Sequence, residues 1–159
     1  MFSTQLNLHQ ELRQKLNPEK TKAKEEKHLY RMIPSAPEKV LDAPDIKDDY
    51  YLNLLDWSSK GVLAIGLTEK VYLYSTKQIT ELCDLPEDEY VCSLSYHPEG
   101  SLLSVGLTNG NTDIYDIEKE TVVRTLEGHT KRVSSSAFTY GLLYTGSRDS
   151  MICAHDYRC

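Results

Sequence analysis

GVLAIGL (Gly61–Leu67), SLLSVGL (Ser101–Leu107) and GLLYTGS (Gly141–Ser147) align without gaps, and their glycines Gly66, Gly106 and Gly146 stand forty residues apart each time. A fixed period of that length marks a repeat architecture, in which each unit buries its apolar face only against its neighbours. Outward from each stretch, a short polar turn leads to a second apolar run: KVYLYS (Lys70–Ser75), NTDIYD (Asn111–Asp116) and SMICAHD (Ser150–Asp156). A further run precedes each stretch: YYLNLLDW (Tyr50–Trp57), YVCSLSY (Tyr90–Tyr96) and RVSSSAF (Arg132–Phe138). A fourth closes the first two units, QITELCDL (Gln78–Leu85) and TVVRTLEG (Thr121–Gly128).

These runs read as strands. In VYLYS, Val71, Leu73 and Ser75 fall on one face and Tyr72 and Tyr74 on the other, the period of two that a half-buried strand requires. Asn109-Gly110 is a hairpin signal because both residues tolerate positive φ, and Pro98-Glu99-Gly100 and Lys60-Gly61 mark the preceding turns. The unit is therefore a four-stranded antiparallel sheet of the length of a WD-type propeller blade. Gly128-His129 matches the Gly-His dipeptide that opens such a repeat. Tyr115-Asp116 and His155-Asp156 stand where Trp-Asp is usual, and Tyr74-Ser75 is a weaker match. Asp149, in the turn of the third unit, is the expected structural partner of His129, tying the loop before the inner strand to that turn.

The fold expected is thus all-β, an incomplete WD-repeat β-propeller with about three of the usual seven blades. Residues 1–30 form a tail, 31–49 an extended entry segment and 50–159 blades one to three, the third without its last strand. Open sheet edges are exposed pairing surfaces, so the reading expects a truncated product, a fragment or one part of a larger assembly. In the tail, Leu8, Leu12 and Leu16 recur every four residues, the pattern of a short amphipathic helix that Asn17-Pro18 ends. It serves either as a flexible leader or as a docking segment that folds on a partner. Pro34, Pro37 and Pro44 keep the entry segment extended or at an edge.

Composition narrows the function. The chain is 40% apolar and 26% charged, with net charge −6. Residues 1–30 carry six Lys/Arg against four Glu, and the remainder twelve against twenty acids. An acidic body argues against nucleic-acid binding and suits partners that present basic segments. No run approaches the roughly 20 apolar residues of a membrane span, and no apolar leader follows a basic start. A cytosolic and nuclear protein is expected, without membrane partners. Cys83, Cys92, Cys153 and Cys159 form no C-x-x-C pair, so neither a zinc cage nor a disulfide framework is expected, and Cys83 and Cys92 read as core residues. Cys153 and His155, two apart on one strand face with Cys159 nearby, come closest to a metal set. No nucleophile–base pair or phosphate loop stands out, so an enzyme is a remote alternative and no cofactor is expected.

From about Tyr30 to the end, the chain resembles the fizzy family, the WD-repeat co-activators of the anaphase-promoting complex ubiquitin ligase. LDAP (Leu41–Pro44), DYYLNLLDWSS (Asp49–Ser59) and GSRDSMI (Gly146–Ile152) carry the likeness. The pair Tyr50-Tyr51 resembles the mitotic fizzy branch more than the fizzy-related branch. The resemblance implies a non-catalytic adaptor that contacts subunits of the complex and checkpoint proteins and binds substrates through short degrons. It assigns Leu41, Asp42 and Ile65 to a destruction-box (R-x-x-L) groove, with Leu41 and Ile65 as apolar wall for the degron leucine and Asp42 as anion for its arginine. It assigns Asp49 and Tyr50 to a KEN-box site. An extended peptide with one Arg and one Leu needs such an anion beside an apolar notch. On the residues alone, Asp42 reads rather as a cap of the Ala43-Pro44 turn, and Asp49 as a solvated acid before a strand. The family's D-R-[FY]-I-P motif and terminal Ile-Arg do not occur in these 159 residues. Tyr30-Arg31-Met32-Ile33-Pro34 aligns instead with the R-x-I-P just before the blades. The alternatives are a generic WD-repeat scaffold, or a truncated family member unable to activate the ligase.

Overall fold

A computed structural model describes residues 33–139 and 141–158. The helix expected around Leu8, Leu12 and Leu16 lies outside the described residues. The chain divides into two units, Met1–Val40 and Leu41–Cys159. Of the first, residues 33–40 are described and form neither helix nor strand.

Among its described residues the second unit has eleven strands in three antiparallel sheets. The first sheet contains β1 (Leu55–Trp57), β2 (Leu63–Leu67), β3 (Lys70–Tyr74) and β4 (Ile79–Asp84) in sequence order. The second contains β5 (Val91–Tyr96), β6 (Leu102–Leu107), β7 (Thr112–Asp116) and β8 (Thr121–Leu126). The third contains β9 (Val133–Thr139), β10 (Leu142–Ser147) and β11 (Ile152–Asp156). This is the partial WD-repeat propeller that the forty-residue period predicts. Among the described residues no helix is long and apolar enough to cross a membrane.

The alternation places the core. Val71 and Leu73 of β3 are buried while Tyr72 and Tyr74 are half-buried on the opposite face. Ala64, Val71 and Leu73 join Leu94, Leu103 and Val105 in the core between the first two sheets. Ile114, Leu126 and Leu143 form a smaller one between the second and third. Cys92 is fully buried and Cys83 packs at the edge of the larger cluster. The repeating glycines mark where sheets meet. A Cβ on Gly66 would come 2.9 Å from the Val91 side chain, and one on Gly106 would come 2.5 Å from the Val133 carbonyl. Val91 and Val133 open the first strands of the second and third sheets.

Two expectations are corrected in detail. The run Tyr50–Trp57 is a strand only over Leu55–Trp57. Asn53 is drawn away from β2 and pairs in parallel with Ser93, exchanging bonds with Cys92 and Leu94 (Asn53 N to Cys92 O 3.0 Å, Leu94 N to Asn53 O 2.8 Å). Before it the chain turns, with Leu52 N donating to Asp49 O at 3.0 Å. At Asn109-Gly110, only Gly110 has positive φ, at 99°. The hairpin closes one residue wider, from Leu107 N to Asn111 O at 2.9 Å, and Asn109 Oδ1 accepts from Asn111 N at 2.8 Å. The Asn side chain thus does the work that a second left-handed residue would do in a two-residue turn.

Candidate functional site

The segment from Leu41 to Leu52 is laid along the sheets by two anchors. Thr68 Oγ1, in the β2–β3 turn, donates to the carbonyl of Asp45 at 2.6 Å. Arg132 Nη1, at the entry to β9, donates to Asp49 Oδ2 at 2.7 Å across 83 residues of sequence. Between the segment and the turn lies a cleft of about 420 Å³ lined by Pro44, Asp45, Leu67, Thr68, Lys70 and Tyr72, among others. Just before it, Leu41 and Asp42 are exposed. The Asp42 carboxylate makes no hydrogen bond or ion pair among the described residues, which disfavours the turn-cap reading. Ile65 sits on β2 directly opposite Tyr72 and Leu55. Its face of the first sheet is the open one, with Leu55 50%, Trp57 63% and Ile79 67% exposed. Ile65 thus stands one strand from the Tyr72 that lines the cleft. The described contacts join it to neither Leu41 nor Asp42.

Asp49 opens a second cleft, of about 650 Å³, lined by Asp49, Tyr51, Arg132, Ser134, Ser147, Arg148 and Ser150. Its carboxylate accepts from the Tyr51 amide at 3.0 Å as well as from Arg132. These two, the Tyr51 N–H first, hold it below the ordinary aspartate range. Tyr51 lines the cleft. Tyr50 does not; it is 96% exposed, with its ring edge-on to Tyr51. The Arg132 guanidinium is 14% exposed, and its Nε is buried with no hydrogen-bond partner among the described residues. Lys47 Nζ lies 3.7 Å over the Tyr90 ring beside it. Two arginines facing one carboxylate leave the cleft with excess positive charge.

Asp49→Asn gives a pH test of the anchor. A carboxyl whose folded pKa is depressed contributes stability above its unfolded value near 3.8, and that contribution fades as pH falls through the lower, folded value. Protection of the Tyr51 amide against hydrogen exchange should therefore fall below about pH 4 in the parent chain. It should start lower and vary less in Asp49→Asn. A parent whose protection is flat across this window would remove the anchor from the account.

The third constellation is in the third sheet. His129 Nδ1 is 3.0 Å from Asp149 Oδ2, and His129 Nε2 is 2.9 Å from Thr145 Oγ1. Thr145 Oγ1 is in turn 3.1 Å from His155 Nε2. Asp149 also accepts from the amides of Thr130 (3.0 Å) and Met151 (2.8 Å). With the Thr130 amide the largest cause, these donors hold its carboxyl down to about 2. Asp149 is therefore an anion at neutral pH, and His129 Nδ1 carries the proton between them. Thr145 Oγ1 stands between the two imidazoles and can donate to one Nε2 while accepting from the other, so the four side chains form one hydrogen-bonded chain. Burial, and after it the neighbouring His129 ring, hold the His155 imidazole below its usual value, in keeping with a neutral ring.

The structure brings His129 and Asp149 together, and places Asp49 and Tyr50 adjacent but pointing apart. Arg132, Arg148, Tyr51 and Thr145 were not singled out from sequence. Thr145 had a signal. Its column in the repeat holds Ile65 and Val105, so a hydroxyl replaces an apolar side chain there. Arg132 had none, because its partner lies 83 residues away.

The chain is 45% identical over 130 residues to B-type cell cycle switch protein ccs52A of Medicago truncatula, covering 80% of this chain and 27% of that protein. It is 45% identical over 130 residues to WD repeat-containing protein slp1 of Schizosaccharomyces pombe, with the same coverage of each chain. Over 135 residues it is 44% identical to anaphase-promoting complex subunit cdc20 of Dictyostelium discoideum, covering 83% of this chain and 27% of that one. The chain thus spans about a quarter of the length of these relatives. FIZZY-RELATED proteins of Arabidopsis thaliana match equally well, at 44% for FIZZY-RELATED 2, so identity does not divide the mitotic branch from the fizzy-related one. A chain in the crystal structure of a mitotic checkpoint complex superposes with a TM-score of 0.76 at 46% identity, covering 78% of this chain and 40% of that one. Residues 62–141, half of the chain, match the family model described as the anaphase-promoting complex subunit 4 WD40 domain, and the chain belongs to that WD40 family.

Proposed function

We propose that this chain carries part of the degron-reading surface of a co-activator of the anaphase-promoting complex, and acts as a substrate adaptor rather than an enzyme. One observation carries the reading. The Leu41–Leu52 segment is tied down at Asp45 and Asp49, yet leaves the Leu41 side chain and the Asp42 carboxylate exposed just ahead of Pro44, where the cleft lining begins. An anion beside an apolar side chain on a fixed strap is what an extended R-x-x-L peptide requires. Asp42 meets the degron arginine, and Leu41 and Ile65 form the wall for its leucine. In the Asp49 cleft each carboxylate oxygen accepts one bond and retains a lone-pair site. Asp49 can therefore receive the lysine of a KEN box while Arg148 faces its glutamate, and Tyr51 rather than Tyr50 supplies the neighbouring ring. The partners are subunits of the complex, degron-bearing substrates and checkpoint proteins, in nucleus and cytoplasm. The open, half-apolar faces and the identity near 45% to co-activators favour this over a generic scaffold.

The test is fluorescence anisotropy with a labelled R-x-x-L peptide. Asp42→Ala and Leu41→Ala should each weaken binding about tenfold, and a peptide with its Arg replaced by Ala should bind the parent as weakly as Asp42→Ala binds the parent peptide. Equal affinity of parent and both variants would remove the groove assignment.

A further inference from the structure

The two seams between consecutive sheets are built alike. Along β2 and β6 the face toward the next sheet is small at its centre, with Ala64 and Gly66 in one and Ser104 and Gly106 in the other. The face that meets it is larger. Leu103 and Val105 of β6 share a core with Ala64, and Leu143 of β10 packs with Ile114, the cross-strand partner of Ser104. Small against large lets two pleated faces approach and interlock. Alternation carries both kinds of face to the outside. Ile65 of β2 stands in the Val105 column and looks away from the core with its partner Leu55, and Trp57 and Ile79 lie on that same face. Leu55, Trp57 and Ile79 are each at least half exposed. Gly146 of β10 stands in the Gly106 column. Its outer face carries Tyr144 between Ala137 and Ala154, with Ile152 opposite Gly146. We propose that the open face of the first sheet is covered by the open face of the third sheet of a second copy of this chain, so that two copies close head to tail into a six-bladed ring.

Three observations choose this occupant. The first is an unfilled slot. A Cβ on Gly66 or Gly106 would meet the following sheet, at 2.9 Å and 2.5 Å, whereas one on Gly146 would meet within 4 Å only the Ser135 side chain of its own sheet. The space for a following sheet is thus kept where no described residue fills it. The second is fit. The first sheet offers large side chains and the third offers small ones around Tyr144, which is the order in which both internal seams pair. Two first sheets brought together would instead set Leu55 and Trp57 against their own copies. The third is closure. A head-to-tail contact makes a ring where its rotation returns to the start and a filament where it does not. Two copies of three sheets give six, inside the roughly four to eight blades that propellers use. Both copies then lose both open apolar faces in one step.

The ring has two identical seams, each made of the first sheet of one copy and the third sheet of the other. A charge placed on either face therefore acts twice, once in each seam. The degron reading does not carry this inference. The two readings share Ile65, so the test variants avoid that residue.

Sedimentation equilibrium of the 159-residue chain should give one discrete associated species, of twice the 18.1 kDa chain mass. Leu55→Asp puts a carboxylate on the first face and Ile152→Asp puts one on the third. Both side chains are exposed in the single chain, at 50% and 77%, so each variant should keep the parent's circular dichroism. Each alone should weaken dimerisation by at least about a hundredfold, because every seam then buries a carboxylate. An equimolar mixture of the two should dimerise more tightly than either alone, since the mixed pair keeps one seam with both faces intact. Asp42→Ala, which tests peptide binding, should leave the dimer unchanged, so the two readings fail separately. A parent that stays monomeric, a continuous series of larger species, a dimer that survives either Asp variant, or a mixture no tighter than its components overturns the proposal.

Discussion

Gly106→Ala is expected to destabilise the chain by about 3 kcal/mol, the upper part of the range for overpacking a close contact. Gly106 lies on β6 where the second sheet meets the first strand of the third. A methyl there would overlap Ser93 Oγ and stand 2.5 Å from the Val133 carbonyl oxygen. That space is already used, because Ser93 Oγ donates to the same carbonyl at 2.9 Å, and both groups are buried. The substitution therefore costs a steric shift of backbone and a buried hydrogen bond together. Gly66→Ala is the graded comparison. Its nearest obstacle is a Val91 side-chain methyl at 2.9 Å, which yields more readily than a carbonyl, so about 1 kcal/mol is expected. Gly61→Ala has open space around it but a φ of +79°, so its cost is the left-handed backbone alone, again about 1 kcal/mol. Urea melts of the three variants check the order. Equal losses at all three positions would remove the approach of one sheet to the next as the reason for the repeating glycine.

Much of the scaffold could be read from the period, because in a repeat protein the sheet centres carry the pattern. The strands β2, β6 and β10 all fall inside the three stretches aligned on Gly66, Gly106 and Gly146. The period failed where one unit borrows from the next. Asn53 looks like part of a long first strand, but its backbone partners are Cys92 and Leu94 of the following sheet. A pattern of alternation cannot tell which neighbour a strand will pair with. The candidate sites divide the same way. His129 and Asp149 belong to one blade, and their spacing within the repeat made them a pair to look for. Asp49 and Arg132 come from opposite ends of the second unit, and no local feature of either names the other. Tyr50 and Tyr51 are equivalent by composition. Only the turn at Asp49, closed by the Tyr51 amide on its carboxylate, decides which ring faces the cleft. Cys153 and His155 stand out as two donors on one strand face, but no local feature shows that His129, 24 positions before Cys153, converges on them.

His129→Ala should lower stability by roughly 3 kcal/mol, which for a chain of this size is a fall of roughly 10 °C in Tm. The imidazole is buried and both its nitrogens are engaged, at Asp149 and at Thr145. Removing it strands a buried Thr145 hydroxyl, deprives the Asp149 carboxylate of its side-chain donor and opens a void beside β11. Restoring bulk alone should not repair this. His129→Leu fills the void but leaves the carboxylate and hydroxyl without their partner, so it should remain within about 1 kcal/mol of His129→Ala. The preceding blade offers a different repair. There Glu89 and Asn109 occupy the positions of His129 and Asp149 and close the loop with one hydrogen bond. The double variant His129→Glu with Asp149→Asn transplants that pair, keeping one acceptor for the Thr130 and Met151 amides. It should regain about half of the loss, because the tie between loop and turn returns while the link to Thr145 does not. If the double variant melts with His129→Ala, the value of His129 lies in its packing and its bond to Thr145, and the loop-to-turn tie is not what holds the third blade.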